Sequence, residues 1–142
     1  MAPGVAARWF TRVTWLGIVA NLGLALPTLF APARMAALTG LPTPEPLLWI
    51  RFSALLLVLL SAFYVPAALD PRRYRLVAWL AVLARLAGVV FFVGFQPTQY
   101  HLFGYFDLVF FIPEAVLLAA MPADSSPVPL CVVRDAAASA GR

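Results

Sequence analysis

Four long apolar runs occupy most of this sequence, and each is long enough for a helix to cross a membrane. The runs cover about residues 13–31, 47–69, 76–95 and 102–121. A helix rises ~1.5 Å per residue, so about 20 apolar residues span the hydrocarbon core of a bilayer. Because lipid offers no hydrogen bonds to the backbone, such runs fold as helices. The pattern therefore predicts an all-α fold, a four-helix transmembrane bundle with short loops.

The predicted organisation is one membrane domain followed by a tail. The domain covers residues 1–122, with helices at about 9–31, 47–69, 75–95 and 101–121. Residues 123–142 are mainly small or polar, a composition typical of disordered segments, and this predicts a disordered cytoplasmic tail.

The first run has an alternative interpretation as a cleaved secretory signal. Arg8 and Arg12 precede it, and residues 31–33 resemble a cleavage site of small residues. However, the run is longer than the roughly 7–15 residues of a signal core, and Asn21 and Pro27 interrupt it. These features favour a membrane helix.

Composition narrows the classes of partner and cofactor. Hydrophobic residues make up 63% of the chain and charged residues 11%, against roughly 45–50% and 25% in soluble domains. The ten basic residues are all arginine and are not grouped with aromatic residues on a polar face, so no nucleic-acid partner is predicted.

The predicted partner is the lipid bilayer, and a membrane complex or a second copy of the chain remains possible as a further partner. With a single cysteine, Cys131, and a single histidine, His101, we predict no metal site and no cofactor.

Four ionisable residues lie inside the apolar runs. A charge at this depth costs at least roughly 2.5–3.5 kcal/mol, so each requires a partner or a function. From the helical rise, Arg51 and Asp107 lie roughly 6–8 Å from one end of their spans, and Arg85 and Glu114 roughly 11–13 Å from the other end. Asn21 of the first span lies at about the depth of the second pair. The depths predict a polar interior in which Arg85 meets Glu114 near Asn21, while Arg51 approaches Asp107.

The fourth run presents both carboxylates on one face, because Asp107 and Glu114 are seven residues, or two helical turns, apart. One interpretation is that the charge pairs are structural and fix the helix packing. Another is that they line a cavity for a polar or anionic group, or perform acid–base chemistry, with Glu114, Asp107 and Arg85 as the catalytic candidates. A third is that side chains, Arg51 and Asp107 first among them, extend to the interface.

Two further patterns concern the packing of the third and fourth spans. Ala81, Ala84 and Gly88 form a small-residue stripe that lets another helix approach closely. Phenylalanines concentrate in one half of these spans, which favours aromatic packing over a hydrophobic ligand pocket.

Four segments carry a likeness to known sequences: residues 49–57, 64–75, 84–88 and 106–110. Together they resemble the DoxX-like group of small bacterial four-span proteins and their uncharacterised relatives. In that group an arginine opens the second span, as Arg51 does here, and an acidic residue often starts the fourth, as Asp107 does. The resemblance covers about residues 10–120 and implies the fold, a bacterial inner-membrane location and an association with a redox complex.

Three classes of function remain open. The sequence favours a non-catalytic subunit or accessory protein of a membrane complex, because the chain is small and its loops are short. The first alternative is a small membrane enzyme acting on a lipid-soluble substrate such as a quinone, sterol or isoprenoid, through its buried carboxylates and Arg85. The second alternative is a proton-linked transporter or channel.

Arginine outside the spans predicts the orientation. Arg8 and Arg12 precede the first span, and Arg72, Arg73 and Arg75 lie between the second and third. By the positive-inside rule, the chain is a multi-pass protein of the cell membrane with both termini in the cytoplasm. An impermeant thiol reagent added outside the cell should label Thr98→Cys and leave Ser126→Cys unlabelled. Labelling of Ser126→Cys from outside would contradict this orientation.

Overall fold

The computed structural model describes residues 3–42 and 46–122, and within these ranges the fold is all-α, as predicted. The predicted tail, residues 123–142, lies outside the described residues. The α-helices are α1 (Pro3–Phe30), α2 (Pro32–Thr39), α3 (Leu48–Leu69), α4 (Arg75–Val89) and α5 (His101–Ala119). A π-helical segment, Val90–Phe95, continues α4, and a short 3₁₀ turn, Thr98–Tyr100, leads into α5.

Four stretches of this fold are long and apolar enough to span a membrane, which confirms the predicted bundle. They are Gly4–Phe30, Leu48–Leu69, Arg75–Phe95 and Thr98–Ala119. Large apolar side chains such as Leu16, Phe63 and Val109 are exposed on the outside of the bundle, where lipid would cover them. The chain is therefore a multi-pass integral membrane protein.

The helix α2 was not predicted. The predicted helix bounds leave residues 32–46 as a connection, because proline lacks a backbone N–H and commonly ends a helix. Pro32 instead occupies the first turn of α2, where a backbone N–H would have no hydrogen-bond partner within the helix, so its absence costs nothing. Gly40, with φ of 67°, ends α2 in the left-handed conformation that glycine adopts without strain.

The four spans form a ring in which each helix packs on two others. Helix α1 packs against α3 and α5, and α4 packs against the same two, so α3 and α5 lie diagonally opposite each other. One end of the bundle carries the turn between α3 and α4, where Arg75 donates a hydrogen bond of 2.9 Å to the carbonyl of Pro122. We call this the hairpin end, and the opposite one, next to α2, the α2 end.

The hairpin end has a closed apolar core contributed by all four spans. Its buried side chains are Ala6, Phe10, Ala67, Ala78, Val82, Leu118 and Met121. Alanine predominates, and small residues allow membrane helices to approach closely. The core therefore closes the bundle at this end and leaves the polar residues in the layer above it.

The π-helical segment brings the end of the third span against the start of α5. A Cβ atom on Gly104 would lie 2.6 Å from Val93 Cγ2 and 3.2 Å from Phe92 Cβ, so only glycine fits this approach. Gln96 then adopts an extended conformation, and its carbonyl accepts a hydrogen bond of 3.1 Å from His101 Nε2. These contacts fix the start of α5 relative to α4.

Candidate intramembrane polar site

A single arginine links both carboxylates of the fourth span in the middle of the bundle. Arg85 of α4 is fully buried, and its Nε donates a hydrogen bond of 3.0 Å to Glu114 Oε2. Its Nη1 lies 3.4 Å from Asp107 Oδ1. We call these three residues the polar cluster. The predicted pairing of Arg85 with Glu114 is confirmed.

The predicted pairing of Arg51 with Asp107 is wrong. Arg51 lies in the first turn of α3 with its side chain exposed on the outside of the bundle, and so it is not part of the polar interior. Asp107 belongs to α5, which is diagonally opposite α3. Two residues at the same depth in the membrane therefore need not be in contact. Asp107 instead contacts Arg85, which also binds Glu114.

Two aromatic rings pack against the Arg85 guanidinium. Its central carbon lies 4.8 Å from the ring centre of Phe110 and 5.4 Å from that of Tyr64. A guanidinium over an aromatic face is stabilised by roughly 0.5–2 kcal/mol, more when water is excluded. Tyr64 of α3 and Phe110 of α5 are both buried, so they hold the guanidinium in the plane that reaches both carboxylates.

Two glycines make room for the polar cluster. A Cβ on Gly17 of α1 would overlap Arg85 Nη2 and lie 3.3 Å from Phe110 Cδ1. A Cβ on Gly88 of α4 would overlap Asp107 Oδ2. Gly88 belongs to the predicted small-residue stripe, which here admits a carboxylate as well as a neighbouring helix.

The polar cluster retains hydrogen-bonding capacity that the described part of the chain does not use. Two buried atoms of the polar cluster, Arg85 Nη2 and Glu114 Oε1, and the neighbouring Thr14 Oγ1 have no hydrogen-bond partner among the described residues. Thr14 of α1 lies beside Glu114 without meeting the geometry of a hydrogen bond. Leaving such an atom unsatisfied costs about 1–3 kcal/mol, more for a charged group. These atoms are therefore suited to bind an additional polar group.

An apolar cavity of about 560 Å³ occupies the α2 end above the polar cluster. Asp107 and Asn21 line it, and the Asp107 side chain is 22% exposed, against 1% for Glu114. Asn21 is buried on α1, one turn beyond Gly17, as the predicted polar interior requires. No hydrogen bond from Asn21 to the polar cluster occurs within the described residues. The remaining lining residues are mostly apolar or aromatic, among them Leu24, Ala25, Met35, Ile50, Ala54, Leu57, Phe92, Phe103 and Phe106.

The serine and threonine hydroxyls around this cavity already donate to backbone carbonyls. Thr28 Oγ1 donates to the Leu24 carbonyl at 2.7 Å, and Ser53 Oγ donates to the Trp49 carbonyl at 2.9 Å. Thr39 Oγ1 of α2 also donates to the backbone of its own helix. Next to the polar cluster, the Asp107 carboxylate is an acceptor, and the Asn21 amide can both donate and accept a hydrogen bond.

Sequence reasoning missed the residues of α1 and α3 that complete the site. Phe10, Thr14, Gly17 and Asn21 recur every three or four residues and so share one helical face, which is the signal that would have identified Thr14 and Gly17. Tyr64 carried a signal too, since it lies inside an apolar run and away from the membrane interface where tyrosine usually lies.

The polar cluster has no metal-binding geometry. Among the described residues, no group of three or more histidine, cysteine, aspartate or glutamate side chains could hold a metal ion. Its chemistry is that of one guanidinium and two carboxylates in an apolar surrounding, which can bind a polar group and accept or donate hydrogen bonds.

We expect Gly17→Ala to destabilise the bundle, because its methyl group would displace a guanidinium that both carboxylates and two rings hold in place. Overpacking of this kind costs about 1–3 kcal/mol. Gly23→Ala is the matched control on the same helix, where a Cβ meets nothing within 4 Å. The midpoint of unfolding by sodium dodecyl sulfate in mixed micelles should fall for Gly17→Ala alone. Equal midpoints for the two variants would contradict the close approach.

Removal of Arg85 should be worse than removal of Arg85 and Glu114 together. Arg85→Leu leaves Glu114 buried without its partner, at a cost of about 3–5 kcal/mol, whereas Arg85→Leu/Glu114→Leu removes both charges. Arg51→Leu, at an exposed arginine of the neighbouring span, should change stability by less than about 0.5 kcal/mol. The same unfolding measurement distinguishes these variants. A double variant as unstable as the worse single variant would show that Arg85 and Glu114 are not coupled.

Comparisons of the chain with protein-family models, with curated proteins and with solved structures found no match in any of the three. The resemblance to the DoxX-like group stays a prediction, and a function for the polar cluster has to be argued from its own geometry.

Proposed function

We propose that this chain binds a lipid-soluble molecule in the apolar cavity, with the polar head of that molecule placed against Asp107 and Asn21. The observation that carries the proposal is the juxtaposition of a cavity of about 560 Å³ with a buried charge cluster at one end. Small-molecule sites are concave and mainly apolar, with a few polar groups that fix orientation, and commonly have volumes of about 300–1,000 Å³.

The lining of the cavity matches a molecule with an apolar body. Aromatic side chains of the third and fourth spans, such as Phe92, Phe103 and Phe106, face aliphatic residues of α1 and α3 across it. An apolar molecule gains little by leaving lipid, so packing against rings and the hydrogen bonds at the head have to supply the selectivity. Trp49 and Tyr100 also line the cavity, and their amphipathic rings suit the interfacial region.

The chemistry of the polar end favours a head group that donates a hydrogen bond. An ionised Asp107 has no hydrogen to donate and can only accept, and the wall hydroxyls of Thr28 and Ser53 already donate to the backbone. An alcohol can donate to Asp107 and accept from the Asn21 amide, whereas a ketone can only accept. We therefore propose an alcohol of the sterol, isoprenoid or quinol class as the ligand.

The polar cluster gives this site a fixed charge distribution. Arg85 ties Asp107 to Glu114, so the carboxylate that faces the cavity is oriented before any ligand arrives. Such preorganisation reduces the ordering cost of binding. It also places the Asp107 carboxylate beside the bound head, where an enzyme acting on this hydroxyl would need an acid or base.

The proposal is independent of the predicted accessory role. A ligand-binding subunit of a membrane complex and a free-standing enzyme would both use this cavity, and the predicted redox complex and proton-linked transport stay predictions. The proposed location is the cell membrane with both termini in the cytoplasm, supported by the arginine residues at the hairpin end.

Filling the cavity should abolish binding without unfolding the protein. Ala54 of α3 is buried and lines the cavity, so the ring of Ala54→Phe would occupy the ligand space. The matched control is Ala62→Phe, on the exposed face of the same helix. We expect native mass spectrometry from detergent micelles to show cholesterol, farnesol or decylubiquinol retained at least about tenfold more by the wild type and Ala62→Phe than by Ala54→Phe, a difference of roughly 1.4 kcal/mol.

The acetate ester of each probe tests the donor argument, because it keeps the apolar body and lacks the hydroxyl hydrogen. Each ester should be retained less than its parent alcohol. If the wild type and Ala54→Phe retained every probe equally, the proposed function would be wrong. If the esters bound as well as the alcohols, the cavity would bind lipid-soluble molecules but the assignment of a donor head group would be wrong.

A further inference from the structure

Three arginines from two parts of the chain line a second cavity at the hairpin end. Its volume is about 360 Å³, and it lies between the first turns of α1 and the end of α3 with the turn that follows. Arg8, Arg12 and Arg72 supply its charge, with Thr11 between the first two. We call this cavity the arginine cleft. It lies on the far side of the apolar core from the polar cluster and shares no residue with it.

The three arginines of the arginine cleft form no ion pair within the described ranges, and they outnumber its one described carboxylate. No carboxylate among these residues lies within 4.0 Å of a nitrogen of Arg8, Arg12 or Arg72; every ion pair found there involves Arg85. Asp70 is the only acidic residue in the lining, and its Oδ1 accepts hydrogen bonds of 3.2 and 3.1 Å from the backbone N–H groups of Arg72 and Arg73. That oxygen of Asp70 is therefore used to build the turn.

One of the three guanidiniums has a buried donor without a partner. Arg72 Nε is removed from solvent and makes no hydrogen bond to any described residue. A buried N–H of a charged group left in this state is costly, so its position favours a site that an acceptor occupies. The guanidinium carbon of Arg12 lies 5.2 Å from the centre of the Trp9 ring.

We propose that the arginine cleft binds a phosphate group, and that its source is the head group of an anionic membrane lipid. A guanidinium presents paired donors that match phosphate oxygens, which explains why arginine and not lysine suits such a site. The cleft lies at the end of the spans, where phosphates of the bilayer lie, and the exposed ring of Trp9 beside it is typical of the membrane interface. Basic pockets between transmembrane helices are known to bind anionic head groups.

The test compares two pairs of arginines that carry the same charge. Arg8→Gln/Arg12→Gln removes two exposed arginines from the cleft, and Arg34→Gln/Arg51→Gln removes two exposed arginines from the α2 end. Each protein is reconstituted in nanodiscs of phosphatidylcholine with one fifth phosphatidylglycerol, released into detergent, and the phosphatidylglycerol that remains bound is counted by native mass spectrometry. Arg72→Gln, examined in the same way, tests the buried donor.

We expect retained phosphatidylglycerol to fall about 25-fold for Arg8→Gln/Arg12→Gln, since each arginine near a charged head group contributes roughly fivefold. Arg72→Gln should lose about fivefold or more by the same reasoning, and Arg34→Gln/Arg51→Gln should retain the lipid as the wild type does. Equal losses in the two double variants would overturn the proposal, because they would reflect net charge alone. Unchanged retention in both double variants would overturn it as well.

A second arm separates the two sources of phosphate. Inorganic phosphate is added to the wild type and to Arg8→Gln/Arg12→Gln in phosphatidylcholine nanodiscs, and the melting temperature is recorded. For a lipid-head-group site, millimolar inorganic phosphate should leave the melting temperature unchanged while phosphatidylglycerol raises it in the wild type only. A rise with inorganic phosphate and none with phosphatidylglycerol would support the phosphate site and overturn its assignment to a lipid.

Discussion

The exclusion of water from the middle of the bundle is the constraint that organises the rest of this structure. A guanidinium placed there needs partners in every direction, and Arg85 obtains them from three other helices. Glu114 and Asp107 of α5 accept its hydrogen bonds, the rings of Tyr64 of α3 and Phe110 pack against it, and Gly17 of α1 gives it space. Each span contributes to the neutralisation or shielding of this one charge. The contacts of Arg85 therefore fix how the four apolar helices pack against one another at this layer.

The polar layer also separates two regions of different character. Towards the hairpin end, alanines allow the helices to pack into a closed core. Towards the α2 end the diagonal helices α3 and α5 stay apart, and the space between them is the apolar cavity. A bundle that was closely packed at both ends would be more stable, because every cavity forfeits packing energy. The retained space is thus a feature that stability does not explain.

The sequence predicted most of the fold and about half of the polar site. The four spans followed from length and hydropathy, because the bilayer imposes both on any chain that crosses it. The pairing of Arg85 with Glu114 followed from depth, since the third and fourth spans are neighbours in the ring. The same arithmetic failed for Arg51 and Asp107, because depth along the membrane normal says nothing about which side of its helix a residue occupies.

Other features were beyond sequence reasoning for physical reasons. The cavity is the space that remains between the four packed helices. Its size depends on the distance between α3 and α5, which no local sequence pattern predicts. Helix α2 was missed because a proline such as Pro32 is common both after the end of one helix and in the first turn of the next. Thr14 and Tyr64 were recognisable in principle, since a polar residue inside an apolar run requires an explanation, but their partners were not.

The wide turn at Val90–Phe95 has a consequence for how such a protein could diversify. A π-helical turn holds one residue more than an α-helical turn, and each residue of an α-helix rotates the chain by about 100°. The direction in which the aromatic side chains at the end of the third span point therefore depends on this turn as well as on the helix that carries Arg85. Loss of one residue from this turn would swing Phe92 and its neighbours around the helix axis while Arg85 kept its orientation. A deletion at this position would therefore change the aromatic lining of the cavity and its contact with Gly104, while Arg85, which precedes the turn, would keep its place on α4.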